Sequence, residues 1–178
     1  MTFDNFSLRP ISKEDSRNYF SLIDSNRDRI LKYFPKITNA NKDIQSTISY
    51  IANRILSAEK KEFITLVISD DITKKIIGTI LIKNIDWNIP KCELGFFIDQ
   101  NYEGKGIITK STSLVIENCF QAMKMNKIFI RAAEDNISSR RVAEKNGFII
   151  EGVLRSDFKT FEGNLIDMIY YGLLRPAS

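Results

Sequence analysis

Histidine is missing entirely from the 178 residues of this sequence. That absence excludes Ser-His-Asp triads, Cys-His dyads and the paired-histidine helices of zinc proteases. There are two cysteines, Cys92 and Cys119, and two thiols without histidine do not supply a tetrahedral zinc site. No metal is therefore expected, and acid–base work falls to carboxylates, tyrosines, lysines, serines or water. Long apolar runs are also missing. No stretch approaches the roughly 18 consecutive apolar residues of a membrane helix, and the opening segment, with Asp4 and Arg9, lacks an apolar core of signal-peptide length. A cytoplasmic protein with no membrane partner is expected, in which both cysteines read as small buried hydrophobes. Charge of either sign is short of a surplus: the net is +4 with a pI near 9.0. That excess is too dispersed to argue for direct nucleic-acid binding, though it favours anionic ligands. Hydrophobic content of 43% and charged content of 27% are ordinary for one globular domain over residues 1–178.

Glycines are few, eight in all, but two of them stand together where a strand gives way to a helix. The run Asn101-Tyr102-Glu103-Gly104-Lys105-Gly106-Ile107-Ile108-Thr109 has the makings of an anion cradle. Glycines turn the backbone tightly and bring several N–H groups onto one anion, and the helix behind adds the positive end of its macrodipole. A Walker A loop requires Gly-Lys followed by Ser or Thr, whereas Lys105 is followed by Gly106. A dinucleotide fingerprint requires a third glycine where Thr109 stands. Neither pattern fits.

About thirty residues further on comes Asn136-Ile137-Ser138-Ser139, leading into a helical stretch that ends at Asn146-Gly147-Phe148. Upstream of the cradle, Glu93-Leu94-Gly95-Phe96-Phe97-Ile98 reads as the strand that delivers it. Taken together, Asn101-x-x-Gly104-x-Gly106 resembles motif A of the GNAT acetyltransferase superfamily, usually Gln/Arg-x-x-Gly-x-Gly/Ala, with Asn101 in place of the usual first residue. Asn136-x-x-Ser139 followed by a helix and Gly147-Phe148 resembles motif B, in matching order and spacing. The likeness extends from Leu8-Arg9-Pro10 to Tyr170-Tyr171-Gly172-Leu173-Leu174, and the nearest type is the RimJ/RimL ribosomal-protein N-terminal acetyltransferases.

This resemblance implies a GNAT fold, an α/β (α+β) architecture with a mixed, mostly antiparallel sheet of about seven strands flanked by helices. It implies acetyl-CoA as cosubstrate. Backbone groups of Phe97 and Ile98 would align the pantetheine arm, Gly104, Lys105, Gly106, Ile107 and Thr109 would surround the pyrophosphate, and Asn136 and Ser139 would lie against the cofactor. Two catalytic roles follow by the same likeness: Glu93 as the base that takes the amine's proton, often through water, and Ser139 as the group that protonates or stabilises the departing thiolate. Glu134 is a weaker base candidate. Structural readings stand beside these roles: Glu93 as an ion-pair member, Ser139 and Asn136 as helix caps, and Tyr170 and Tyr171 as packing residues.

The elements read from pattern agree with that fold. Phe6 to Arg9 forms a strand and Ser12 opens a helix. A basic, turn-rich segment around Arg27 to Lys36 carries Tyr33 and Phe34, which partly cover a cleft. Ile44, Ile48, Ile51 and Ile55 fall at helical spacing and mark one core stripe. Phe63–Ile68, Ile76–Ile82 and Cys92–Ile98 read as a meander. Helices are expected over Lys105–Lys124 and Ser138–Asn146, with a strand over Lys127–Ala132 between them and closing strands near Ile149–Phe158 and Leu165–Leu173.

The acceptor is expected to be a protein N-terminal α-amine, a ribosomal protein among the candidates. An α-amine with a pKa of about 7.7 to 8.0 is on the order of a tenth neutral at pH 7, against a few parts in ten thousand for a lysine amine near 10.4. It therefore needs less help from a chain without histidine. The alternatives are a small amine acceptor, polyamine or aminoglycoside-like, and a module that binds acyl-CoA without turnover. A monomer or homodimer is expected.

Overall fold

A computed structural model describes residues 1–176. The chain opens with strands β1 (Thr2–Phe3) and β2 (Phe6–Pro10), then a 3-10 turn (Lys13–Asp15) and helices α1 (Ser16–Ser25), α2 (Arg27–Leu31), α3 (Pro35–Ala40) and α4 (Ile44–Glu59). Strands β3 (Ile64–Asp70), β4 (Lys75–Asp86) and β5 (Lys91–Ile98) follow. A 3-10 turn (Gln100–Tyr102) leads to helix α5 (Ile107–Gln121), strand β6 (Lys127–Ala133), helix α6 (Ile137–Lys145), and strands β7 (Ile149–Lys159) and β8 (Leu165–Leu174).

All eight strands form one sheet in the order β1-β2-β3-β4-β5-β6-β8-β7. Every pairing is antiparallel except β5 with β6, because α5 carries the chain back across the sheet between them. The mixed, mostly antiparallel sheet is as expected, with one strand more. The addition is β1, two residues that turn at the left-handed Asp4 (φ 47°) to pair with Phe6 and Ser7. It is too short to carry a periodic signal.

Strand alternation sends the two faces of β5 into different cores. Cys92, Leu94, Phe96 and Ile98 join the cluster beneath α5, with Ile107, Val115, Cys119 and Phe120. Phe97 joins Tyr19, Ile23, Ile51 and Leu81 beneath α1 and α4. Both cysteines are fully buried free thiols, and the neighbouring Cys119, followed by burial, pushes the Cys92 thiol up.

Helix α4 is where the sequence pattern misleads. Its start is clear: Asp43 Oδ1 accepts from Ser46 N at 2.7 Å, and Asp43 N donates back to Ser46 Oγ at 3.1 Å. The isoleucine stripe, however, is not all core. Ile51 is completely buried, but Ile44 and Ile48 are 39% and 44% exposed. Tyr50 stacks on Tyr19 at 6.0 Å and Arg54 lies over Phe63 at 4.3 Å. These larger groups turn the helix so that Thr47 and Ile51 face inward and the first two isoleucines lie on its flank.

Two short helices, α2 and α3, occupy the basic segment read as turns. At five and six residues they are below the length at which helical periodicity can show itself. Long-range contacts hold them: Arg27 donates to the carbonyls of Thr38 at 3.2 Å and Asn41 at 2.8 Å.

Candidate active site

The parallel pairing of β5 with β6 stops early. Lys91, Cys92 and Glu93 face Lys127, Ile128 and Phe129, and no pair is formed beyond them. From Leu94 onward the two strands part, leaving residues 94–98 paired within the sheet only to β4, with the Ile98 carbonyl accepting from Arg29. A wedge opens between them, and β6 runs on to the α6 N-terminus on its far side. This unpaired β edge can accept an extended ligand as though it were another strand.

At the end of β5 the chain passes through the glycine loop. Gly104 and Gly106 have φ of 73° and 76°, a left-handed conformation that suits glycine. A Cβ at either position would meet nothing within 4 Å, so these glycines are not required by internal crowding; the space above them is open. Gly106 begins α5 without a side-chain cap. Among the described residues, the N–H groups of Gly104 through Thr109 have no acceptor, and backbone pairing resumes with Lys110 N to Gly106 O at 3.0 Å. Six free donors at the positive end of a helix form a site shaped for a phosphate.

A cavity of about 650 Å3 runs from this loop to α6. Its lining includes Phe97, Ile98, Gly104, Gly106, Ile107 and Thr109 from the β5–α5 side and Asn136 and Ser139 from the α6 side. The structure thus brings together all but one of the cofactor residues expected from sequence. Lys105 does not line the cavity; its ammonium sits 5.0 Å from the Tyr102 ring. Asn136 caps α6, its Oδ1 accepting from Ser139 N at 3.2 Å and from Ser138 Oγ at 3.0 Å. The Ser139 hydroxyl is half-buried and has no hydrogen-bond partner among the described residues.

A second, smaller cavity of about 90 Å3 adjoins the first. Tyr33, Phe34, Phe96, Asn136 and Ser139 line both, so these five residues mark the junction. Tyr33 and Phe34 arrive from the segment between α2 and α3. Tyr33 Oη donates to Asp135 Oδ1 at 3.1 Å, and Lys32 forms an ion pair with the same carboxylate. Lys32, followed by Tyr33, holds the Asp135 carboxyl below its usual range, while burial and Asp135 push the Tyr33 phenol up.

Glu93 lies in the smaller cavity, 2% exposed, and its carboxylate is fully engaged. Oε2 accepts from Asn84 Nδ2 at 2.6 Å and Arg131 Nη2 at 2.9 Å. Oε1 accepts from Arg131 Nε at 3.2 Å and faces Lys83 Nζ at 3.2 Å. Arg131 reaches on to Asp157 at 2.6 Å. Burial would lower the Arg131 pKa, but Glu93 and then Asp157 hold it above the ordinary value. Glu134 is not part of the lining of either of these cavities.

The tyrosines divide between the faces of β8. Tyr171 is wholly buried, its hydroxyl accepting from Arg140 Nε and donating to Glu144 Oε1, both at 3.1 Å. Tyr170 stacks on Phe129 at 4.9 Å on the other face. Lys83, Asn84, Arg131 and Arg29 are the site residues that the sequence reading did not single out, whereas Tyr33 and Phe34 lie over the cavities as expected. Arg29 donates to the Ile98 carbonyl and pairs with Glu103 at the mouth of the larger cavity. No group of His, Cys, Asp or Glu suited to hold a metal occurs among the described residues, and no described helix is long and apolar enough to cross a membrane.

The chain is 38% identical over 100 residues to the putative ribosomal N-acetyltransferase YdaF of Bacillus subtilis, a match spanning 56% of this chain and 54% of that protein. It is 24% identical to the spermidine N(1)-acetyltransferase of Escherichia coli K12, over 85% of this chain and 76% of that one. The crystal structure of ribosomal-protein-S5-alanine acetyltransferase from Vibrio fischeri superposes with a TM-score of 0.91 at 22% identity, covering 98% of this chain and 95% of that one. Residues 5–149, from β2 through the cradle and α6, match the acetyltransferase (GNAT) domain model, and the chain belongs to the GNAT acetyltransferases.

Proposed function

We propose that this enzyme transfers the acetyl group of acetyl-CoA to the N-terminal α-amine of a protein, with ribosomal proteins the expected acceptors. Solved structures of the same fold contain acetyl-CoA or coenzyme A, and the open glycine loop with its free N–H groups fits the pyrophosphate of that cosubstrate. In this reading Gly104, Lys105, Gly106, Ile107 and Thr109 hold the phosphates through the backbone. Phe97 and Ile98 supply the strand edge for the pantetheine amides, the Ile98 carbonyl being shared with Arg29, and Asn136 fixes the start of α6 beside the thioester.

The transfer forms a C–N bond as a C–S bond breaks, one proton leaving the amine and one reaching the sulfur. In this reading Ser139, at the cavity junction with its hydroxyl free, donates to that sulfur. An amine entering through the smaller cavity passes Tyr33 and Phe34, whose rings exclude water from the junction. The Glu93 carboxylate has its lone pairs engaged by three side chains. It can take the amine's proton, through water, only when one of those bonds yields, so its constant task is to hold Lys83 and Arg131 in place.

One observation carries the choice of acceptor: the smaller cavity is lined by two cations, Lys83 and Arg131, against the single carboxylate of Glu93. A polyamine would bring further positive charge to a place with no free anion. An α-amine brings a neutral nucleophile followed by a peptide carbonyl. The likeness to a spermidine acetyltransferase favours a small polyamine as the second reading. Release of free coenzyme A thiol from acetyl-CoA, measured against N-terminal peptides of ribosomal proteins, N-blocked lysine peptides and spermidine, separates them. Turnover on the free N-terminal peptides is expected. Turnover on spermidine alone replaces this reading by the second, and acetyl-CoA binding without turnover on any amine removes both.

A further inference from the structure

Strand β4 is irregular at one point, and the irregularity is aimed at the acceptor cavity. Lys83 lies directly opposite Glu93 across the β4–β5 pair, and the register shifts immediately after it. Asn84 then adopts a left-handed backbone, φ 48°, which is uncommon outside glycine and tolerated best by Asn and Asp. Strand alternation would send Asn84 to the opposite face from Lys83. The bulge instead brings both side chains to one carboxylate, Asn84 at 2.6 Å and Lys83 at 3.2 Å.

Arg131 is spent on two carboxylates, with Nε and Nη2 on Glu93 and Nη1 on Asp157. Lys83 has one ion-pair contact to Glu93 and, among the described residues, no other hydrogen-bond or ion-pair partner, so its ammonium has N–H donors to spare. The residue beneath it is Gly95; a Cβ there would come 3.8 Å from Lys83 Nζ and 3.6 Å from the Phe34 ring. Lys83 and Gly95 both line the smaller cavity, so the ammonium faces it beside a residue without a side chain. A lysine anchored by a buried carboxylate, with donors left over beside the cavity junction, is a recognition group.

We infer that Lys83 sorts the acceptors of this enzyme: its ammonium donates to the carbonyl oxygen of the acceptor's first residue and repels any acceptor that carries a second cation near its amine. A peptide N-terminus has that carbonyl one carbon beyond its α-carbon, whereas the next polar group of a polyamine is itself an ammonium. The inference rests on the α-amine reading above and names the residue that enforces it. The charged and titratable groups around a bound amine are Lys83 from β4, Glu93 from β5, Arg131 from β6, Asp157 from β7 and Tyr33 after α2. Of these, Lys83 is the cation that is not already matched by two carboxylate contacts.

The test compares wild type with Lys83→Met, Lys83→Arg and Lys83→Glu on one N-terminal peptide and on spermidine. Glu93 keeps Arg131 and Asn84 in Lys83→Met and Lys83→Arg, and Lys83 does not line the larger cavity, so coenzyme A affinity by calorimetry should be unchanged in those two. For Lys83→Met, kcat/KM on the peptide should fall about tenfold or more, mostly through KM, as expected for one lost hydrogen bond to a charged group. The rising limb of its pH profile should move to higher pH, because a cation beside the amine had disfavoured its protonated form. Lys83→Arg should restore most of the peptide activity. Lys83→Glu should raise spermidine turnover relative to peptide. Peptide kinetics that do not change in Lys83→Met, or an arginine variant as poor as the methionine one, overturn the assignment to Lys83 while leaving the α-amine reading intact. Wild type that ignores peptides and acetylates spermidine overturns both.

Discussion

Replacing Arg131 by Met isolates the energetics on which the acceptor cavity depends. Glu93 is 2% exposed, so its charge has almost no access to water, and Arg131 supplies two of its contacts at 2.9 and 3.2 Å. Removing one partner of a buried ion pair costs about 3 to 5 kcal/mol, since the survivor is left uncompensated. Here the low end applies, about 3 kcal/mol, because Lys83 and Asn84 remain and the Arg131 side chain is 27% exposed. Glu93→Gln should cost less, as the amide stays bonded and both cations reach solvent. The double variant should be more stable than the sum of the singles implies, with a coupling of about 1 to 3 kcal/mol. Equilibrium urea unfolding, followed by circular dichroism and by the single tryptophan, Trp87, measures all four corners, with equal slopes confirming a common unfolded state. An Arg131→Met loss below about 0.5 kcal/mol, the behaviour of an exposed surface pair, would refute the claim that Glu93 is a buried anchor. The free Glu93 carboxylate would then return to the position of general base.

Gly106→Val should weaken coenzyme A binding at least tenfold by calorimetry while costing the free protein only about 1 to 3 kcal/mol of left-handed strain, because a Cβ there would meet nothing within 4 Å; unchanged affinity removes the cradle. Asp15 is held below the usual carboxylate range, since the Arg9 and Ser12 hydrogen bonds outweigh burial. Its stabilisation is thus full above the unfolded pKa of about 3.9 and is lost as pH falls through the lower folded value. Asp15→Asn, which weakens the charge-assisted bonds to Arg9 and Ser12, should accordingly be less stable than wild type by about 1 kcal/mol near pH 7 and equal to it in strong acid, and a gap that persists at the lowest pH contradicts the linkage. Ser139→Ala should lower kcat on the best acceptor about tenfold or more with little change in acetyl-CoA affinity; equal losses in binding and turnover return Ser139 to a purely structural place.

The halves of this site differ in how far the sequence foretells them, and the difference is physical. Gly104, Gly106, Asn136 and Gly147 do local work: a left-handed backbone or a helix cap is met by particular residue types within a few positions, so spacing alone reveals them. The α4 stripe shows the limit of local reading, since Ile44 and Ile48 have the right period but Tyr50 and Arg54 decide which way the helix turns. Acceptor recognition lies further beyond reach. Lys83 and Glu93 are joined by the register of the β4–β5 hairpin, Arg131 by a parallel pairing that stops after three residues, and Asp157 by a strand added at the sheet edge. Alternation predicts the wrong face for Asn84, and only the bulge corrects it. A one-residue change in that hairpin register would send Lys83 to the α5 side and leave Glu93 short of a partner, without altering any motif that identifies the fold. A change in β4 would therefore alter the acceptor cavity while the acetyl-CoA cradle stays the same, which is why the motifs point to the cosubstrate and leave the acceptor to be read from the packing.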